Sequence, residues 1–302
     1  MKGKSLLLLL FIFLVIESRS QDKDAYFIYK NNDTVTQVDG VDYLIKLFKL
    51  KRSQEKIENK KVNFSFFPTD TENAGGRVLV SSFNATFYLG DKENTKNSTI
   101  YLIPYISFNN QFGLELYPTI WLEKNSWNFV GEYFVLNFPQ ETWGLGGDSP
   151  DSHETFVDGK QIRFHQNVLK GILPNLAIGI GYQYDKHFEL EIEDDEARTK
   201  HPNLPETIKS TTVSSGISLP IVYDTRKNIN NPQQGMYAGI TYLYNDTALG
   251  SDDKWQSLFM DFRKYYSIPF ARSILGFRSY YWTILSGDVP YFDLPSTRSE
   301  PG

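Results

Sequence analysis

Asp224, Thr225 and Arg226 are residues whose types and spacing can do chemistry. A carboxylate and a guanidinium two positions apart at the end of an extended run share one face and can pair. Asn228, Asn230 and Asn231 suit turn conformations, Pro232 limits the loop, and Gly235 restarts an extended run. The stretch YDTRKNINNPQQGMYAGITY, residues 223–242, therefore reads as a charge-clamped hairpin turn. Arg163, His165 and Asp185 are a second set. They lie on the polar side of alternating segments, where they can shape a pore or simply hydrate a wet interior. A third set is the acidic run Glu189, Glu191, Glu193, Asp194, Asp195 and Glu196. It can attract a divalent cation, but the glycine and spacing of an EF-hand loop are missing, which favours a solvated acidic loop.

Motifs for catalysis are lacking. His153, His165, His187 and His201 show no HExxH spacing, and there is no Gly-x-Ser-x-Gly elbow or phosphate loop. The chain has no cysteine, which removes thiol, zinc-thiolate and disulfide chemistry. No enzymatic activity, metal or cofactor is expected.

The elements that must position these residues alternate with a period of two. In QFGLELYPTIWL, Phe112, Leu114, Leu116, Pro118, Ile120 and Leu122 fall on one face. Gln111, Gly113, Glu115, Tyr117, Thr119 and Trp121 fall on the other. NLAIGIGYQYD, residues 175–185, sets Leu176, Ile178, Ile180, Tyr182 and Tyr184 against Ala177, Gly179, Gly181, Gln183 and Asp185. Large apolar residues facing small and polar ones is the pattern of a transmembrane barrel strand. A soluble β-sandwich also alternates. The segments, however, approach the ~9–11 residues of a tilted span. Pro118 also sits inside a strand, and Tyr and Phe cluster near strand ends.

Eleven strands are expected: 62–67, 77–89, 98–108, 111–122, 127–138, 155–168, 175–188, 211–223, 236–245, 255–266 and 273–285. The long connections 139–154, 189–210 and 246–254 then fall at one end of the sheet, the outer end, with short turns at the other.

MKGKSLLLLLFIFLVIESRS reads as a secretory signal, with Lys2 and Lys4 before the apolar run Ser5 to Ile16 and cleavage expected after Ser20. Its removal, which takes away Lys2, Lys4, Arg19 and Glu17, shifts the formal charge from −5 to −7. An acidic chain argues against a nucleic-acid partner. Residues 21–61 form a polar segment with a short amphipathic helix from about 41 to 58, either a membrane-surface or barrel-plugging helix or a solvated linker. Residues 62–302 are the barrel domain. The Asn-x-Ser/Thr sequons arise by chance in an Asn-rich chain.

The Asp-Thr-Arg-x-Asn…Pro…Gly turn (Asp224, Thr225, Arg226, Asn228, Pro232, Gly235) resembles the signature of the bacterial surface-antigen barrels of BamA/TamA type. FVLNFPQETWGLGGDSP, residues 134–150, is similar to a segment of a stand-alone branch of that superfamily seen in Bacteroidetes-like bacteria, through Trp143, Gly144, Gly146, Gly147 and Asp148. LSGDVPYFDLP, residues 285–295, resembles the approach to the family's sixth extracellular loop, through Gly287, Asp288, Pro290 and Tyr291. The resemblance implies an outer-membrane protein that works in protein or lipid assembly. Its implied partners are the lipid bilayer and nascent outer-membrane proteins or lipopolysaccharide.

The chain departs from the family where STRSEPG precedes the expected Arg-Gly-Phe/Tyr motif. The family closes with about sixteen strands, in the even-numbered range. A C-terminally truncated, incomplete barrel is therefore expected. A passive pore or surface antigen is the second reading, and a soluble periplasmic β-sandwich binding protein the third.

Overall fold

A computed structural model describes residues 62–73, 76–107, 111–137, 139–146, 154–192, 209–229, 231–268 and 273–295, all within the unit Gln54–Gly302. The expected leader at 1–20 and helix at 41–58 lie outside the described residues.

The described chain is one antiparallel sheet. Its strands are β1 Val62–Asn73, β2 Gly76–Phe87, β3 Ser98–Ser107, β4 Phe112–Trp121, β5 Trp127–Asn137 and β6 Gln140–Thr142. They continue with β7 Thr155–Leu173, β8 Leu176–Ile192, β9 Thr211–Asp224, β10 Gly235–Asn245, β11 Trp255–Ile268 and β12 Ser273–Gly287. Neighbours in sequence are neighbours in the sheet, save that β5 and the short β6 both pair with β7. Among the described residues the sheet is open: β1 and β12 each have one neighbour.

Twelve strands stand where eleven were expected, and the difference is physical. Asn137 pairs with Lys160, and Gln140 resumes the same register with Val157. β6 is thus the continuation of β5 past Pro139, which has no N–H to give the ladder. β7 runs on to Leu173 because Pro174 and Asn175 suffice as a turn, with Asn175 at φ 64°, and at the other end of the hairpin β8 runs on to Ile192, which pairs with Val157. Glu189 and Glu191, expected in a loop, therefore belong to β8. A bulge between Asp158 and Lys160 shifts the register there and turns Leu190 inward over Gly159.

Three of the in-strand prolines, Pro104, Pro118 and Pro220, each sit at a gap in one ladder. Pairing skips them between β2 and β3, between β4 and β5, and between β8 and β9. Each removes a donor from a central strand, so the sheet is locally under-bonded at three places.

The connections 138–154, 193–210 and 246–254 all leave one end of the sheet, as expected. The opposite end is not uniformly short: its connections 88–97 and 225–234 are ten residues each. Both of these carry structure of their own.

Polarity is inverted relative to a water-soluble sheet. Along β8, Gln183, Asp185 and His187 are buried, while Ile178 and Ile180 are exposed. β7 buries His165 and exposes Phe164, and β9 buries Ser214 and Ser218 and exposes Leu219 and Ile221. The inner face carries one small apolar cluster, Tyr105, Phe134 and Leu136 with Val80. No second sheet packs on the outer face among the described residues, so a two-sheet sandwich does not describe this fold.

Candidate functional site

The inner face gathers the charged side chains, and the Asp-Thr-Arg turn lies at its N-terminal end. Asp224 Oδ1 accepts from the Arg226 backbone N–H at 3.1 Å and from its Nε at 2.9 Å, and Oδ2 from Nη2 at 3.3 Å. Arg226 also lies 4.7 Å from the centre of the Tyr237 ring. Thr225 Oγ1 accepts from the Met236 N–H at 2.9 Å, closing the hairpin. Asn228 Oδ1 accepts from the Asn231 N–H at 3.0 Å. Gly235 has φ 111°, and a Cβ there would come 2.9 Å from the Thr225 carbonyl oxygen. These contacts brace the turn through Asp224, Thr225, Arg226 and Asn228.

Lys96, which sequence reading passed over, completes the cluster. Its Nζ lies 2.9 Å from Asp224 Oδ2 and 4.9 Å from the Trp121 ring centre, and donates to the Asp224 carbonyl oxygen. Lys96 precedes β3 and Asp224 ends β9, five strand spacings away through the sheet. At ~4.8 Å each, that is about 24 Å along the sheet. A 2.9 Å contact across it means that the sheet curls until the start of β3 and the end of β9 meet at this end. Burial lowers the Lys96 pKa and Asp224 offsets part of that. Nothing local in DKENTKN marks Lys96, because its partner lies 128 residues on.

A second cluster lies further along the inner wall. Arg163 Nε donates to Asp185 Oδ1 at 2.5 Å and its Nη1 to Glu132 Oε1 at 2.7 Å. His165 Nε2 meets Asp185 Oδ2 at 2.6 Å. Register explains the cluster: Arg163 opposes Asp185, and Glu132 opposes His165, on adjacent strands. Sequence reading found three of the four and missed Glu132, whose place follows only once β5 is known to pair with β7. All four are mostly buried, with side chains 7–16% exposed. A guanidinium between two carboxylates in such a place is a fixed strut rather than a mobile ligand.

The remaining motif residues meet at the opposite end. Gly287 has φ 93°, and a Cβ there would stand 2.0 Å from the Lys254 carbonyl oxygen, so no side chain fits. After it the chain folds back over the inner face. Tyr291 Oη and Thr142 Oγ1 are 2.5 Å apart, which brings together the two segments read separately, 134–150 and 285–295. Trp143 and Pro290 are half-buried, Asp288 is exposed, and Gly144 and Gly146 have φ 84° and 96°. Gly147 and Asp148 lie outside the described residues. Leu145, Leu190, Thr212, Tyr291 and Phe292 line a cavity of about 220 Å³.

Glu189 pairs with Lys160, and Glu191 is exposed. The rest of the acidic run lies outside the described residues. Among the described residues no three His, Cys, Asp or Glu side chains are grouped to hold a metal ion. The arrangement can brace a curved wall and line its inner face with charge.

No curated protein matches the sequence significantly. The Omp85 superfamily domain matches residues 56–293, a span that holds the curled sheet, the Asp-Thr-Arg turn and the fold-back segment. The chain belongs to the Omp85 superfamily.

Proposed function

We propose that the chain is an outer-membrane β-barrel protein of BamA/TamA type that assists the assembly of other outer-membrane proteins or of lipopolysaccharide without covalent chemistry. The observation that carries the membrane reading is the inverted polarity of a single curled sheet. Phe112, Leu114, Phe164, Ile178, Ile180 and Ile221 all point out and are exposed. Each is about half exposed, so leaving it in water forgoes about 1 kcal/mol, roughly half the value of a full burial. Lipid tails recover that, and β3, β4 and β5, at 10–11 residues, are long enough to span a hydrocarbon core. Unsatisfied backbone in lipid costs several kcal/mol per group. Wall made under-bonded at Pro104, Pro118 and Pro220 is therefore suited to thinning the bilayer and to exchanging strand pairing with an incoming client.

The test is refolding of a urea-denatured small barrel client into vesicles of outer-membrane lipid. Vesicles holding this chain are expected to accelerate client insertion several-fold over vesicles holding an unrelated barrel of similar size. The charged lining of Glu132, Arg163, His165 and Asp185 favours a second reading, a passive aqueous pore. Stable single-channel conductance with no acceleration of the client selects that reading instead.

A further inference from the structure

Asp293 is buried, at 8% exposed, in the short turn Tyr291–Asp293 that lies on the inner face. Its Oδ2 accepts from Ser214 Oγ at 2.5 Å, and that hydroxyl oxygen in turn accepts from Trp255 Nε1 at 3.2 Å. Its Oδ1 lies 3.7 Å from His187 Nδ1, a buried nitrogen with no hydrogen-bond partner. Phe292 covers the same imidazole at 5.6 Å between ring centres, and Tyr291 is held by Thr142.

The charges around this carboxyl serve it little: Arg163 favours its ionised form, but less than burial and Asp185 oppose it. On β8, Asp185 faces the same interior, with its oxygens taken by Arg163 and His165 of β7. Arg163 is shared with Glu132 of β5. β9 and β11 contribute the neutral Thr212, Ser214 and Trp255. At the mouth Lys209 is paired with Asp253 at 3.2 Å, and Asp288 is exposed. An ionised carboxylate offers about four acceptor sites. Asp293 meets one hydroxyl donor, and His187 Nδ1, 3.7 Å from its Oδ1, stands outside hydrogen-bond reach, so the ionised form is left under-satisfied here.

We infer that residues 288–294 are a proton-dependent latch, docked on the inner wall while Asp293 is protonated and released when it ionises. Burial, then the nearby Asp185 charge, pushes the Asp293 carboxyl up to about 7. A group whose docked pKa exceeds its free value stabilises docking fully below the free value and loses that contribution as pH rises through the docked one. The docking equilibrium should fall on the order of tenfold to a hundredfold between about pH 5 and about pH 8. The latch stands on this geometry whether or not the chain assembles clients.

The test is a nitroxide on Pro295→Cys in the vesicle-reconstituted full chain, which has no native cysteine. The label should be immobilised at about pH 5 and mobile at about pH 8.5, with a midpoint between the free carboxyl value and the raised one. Asp293→Asn, which keeps an acceptor for Ser214, should stay immobilised throughout. Ser214→Ala, which removes the one donor to the charged docked form, should stay immobilised at about pH 5 and release at the same pH as wild type or lower. The latch is overturned by a wild-type label whose mobility ignores pH, by an Asn variant that titrates like wild type or is mobile throughout, or by an Ala variant that releases only at higher pH than wild type.

Discussion

Arg163→Ala is expected to lower the stability of the folded sheet by about 3–5 kcal/mol, the cost of removing one partner from a buried ion pair. The substitution leaves Glu132 without its cation and Asp185 with His165 alone, each carboxylate on a side chain only 11% exposed. It also strips the guanidinium that lies 4.8 Å from the centre of the Phe134 ring. Urea titration in vesicles measures the loss as a lower unfolding midpoint at unchanged slope. The cause is separable from lost packing. Arg163→Met combined with Glu132→Gln and Asp185→Asn removes every charge while keeping volume. That triple variant should recover most of the stability, because replacing a whole buried charged network by neutral isosteres is often near neutral. If the triple variant is no more stable than Arg163→Ala, stranded charge is not the reason.

Asp224→Ala should cost a similar amount, about 3–5 kcal/mol, and for the mirror-image reason. It leaves Lys96 and Arg226, with side chains 12% and 6% exposed, as buried cations without their carboxylate. It also removes the acceptor for the Arg226 backbone N–H that shapes the turn. Lys96→Met should cost clearly less, because Asp224 then keeps Arg226. The double variant Lys96→Met with Asp224→Ala should be less destabilised than the sum of the singles, since one of the two stranded cations is gone. Strict additivity would mean that the cross-sheet contact carries no energy.

Most of the sheet was legible because its code is local. Period-two alternation needs only neighbouring residues, so the faces of β4 and β8 read correctly from Phe112 to Trp121 and from Leu176 to Asp185. The Asp224–Arg226 clamp was legible for the same reason, being an i, i+2 pair. What escaped depends on register and curvature. Glu132 joins Arg163 only because β5 pairs with β7 at a fixed offset, and Lys96 reaches Asp224 only because the sheet curls. Strand ends slipped where one residue has two readings. Glu189 looks like loop by charge, yet a bulge lets it remain in β8, and Pro139 splits one strand into β5 and β6 without changing its register. The meeting of Thr142 with Tyr291 joins motifs 149 residues apart, a distance at which no spacing rule operates.

The claim beneath all of this is that alternate side chains along a strand look into lipid and into water. Nitroxides on single cysteines along β8 test it directly, with oxygen as the lipid-soluble relaxer and a charged nickel chelate as the aqueous one. At Ile178, Ile180 and Tyr182 oxygen should dominate, and at Ala177 and Gln183 the chelate should gain, so that the ratio oscillates with a period of two along the strand. A flat ratio, or an apolar row shielded from oxygen as though packed on protein, would contradict a membrane-facing wall.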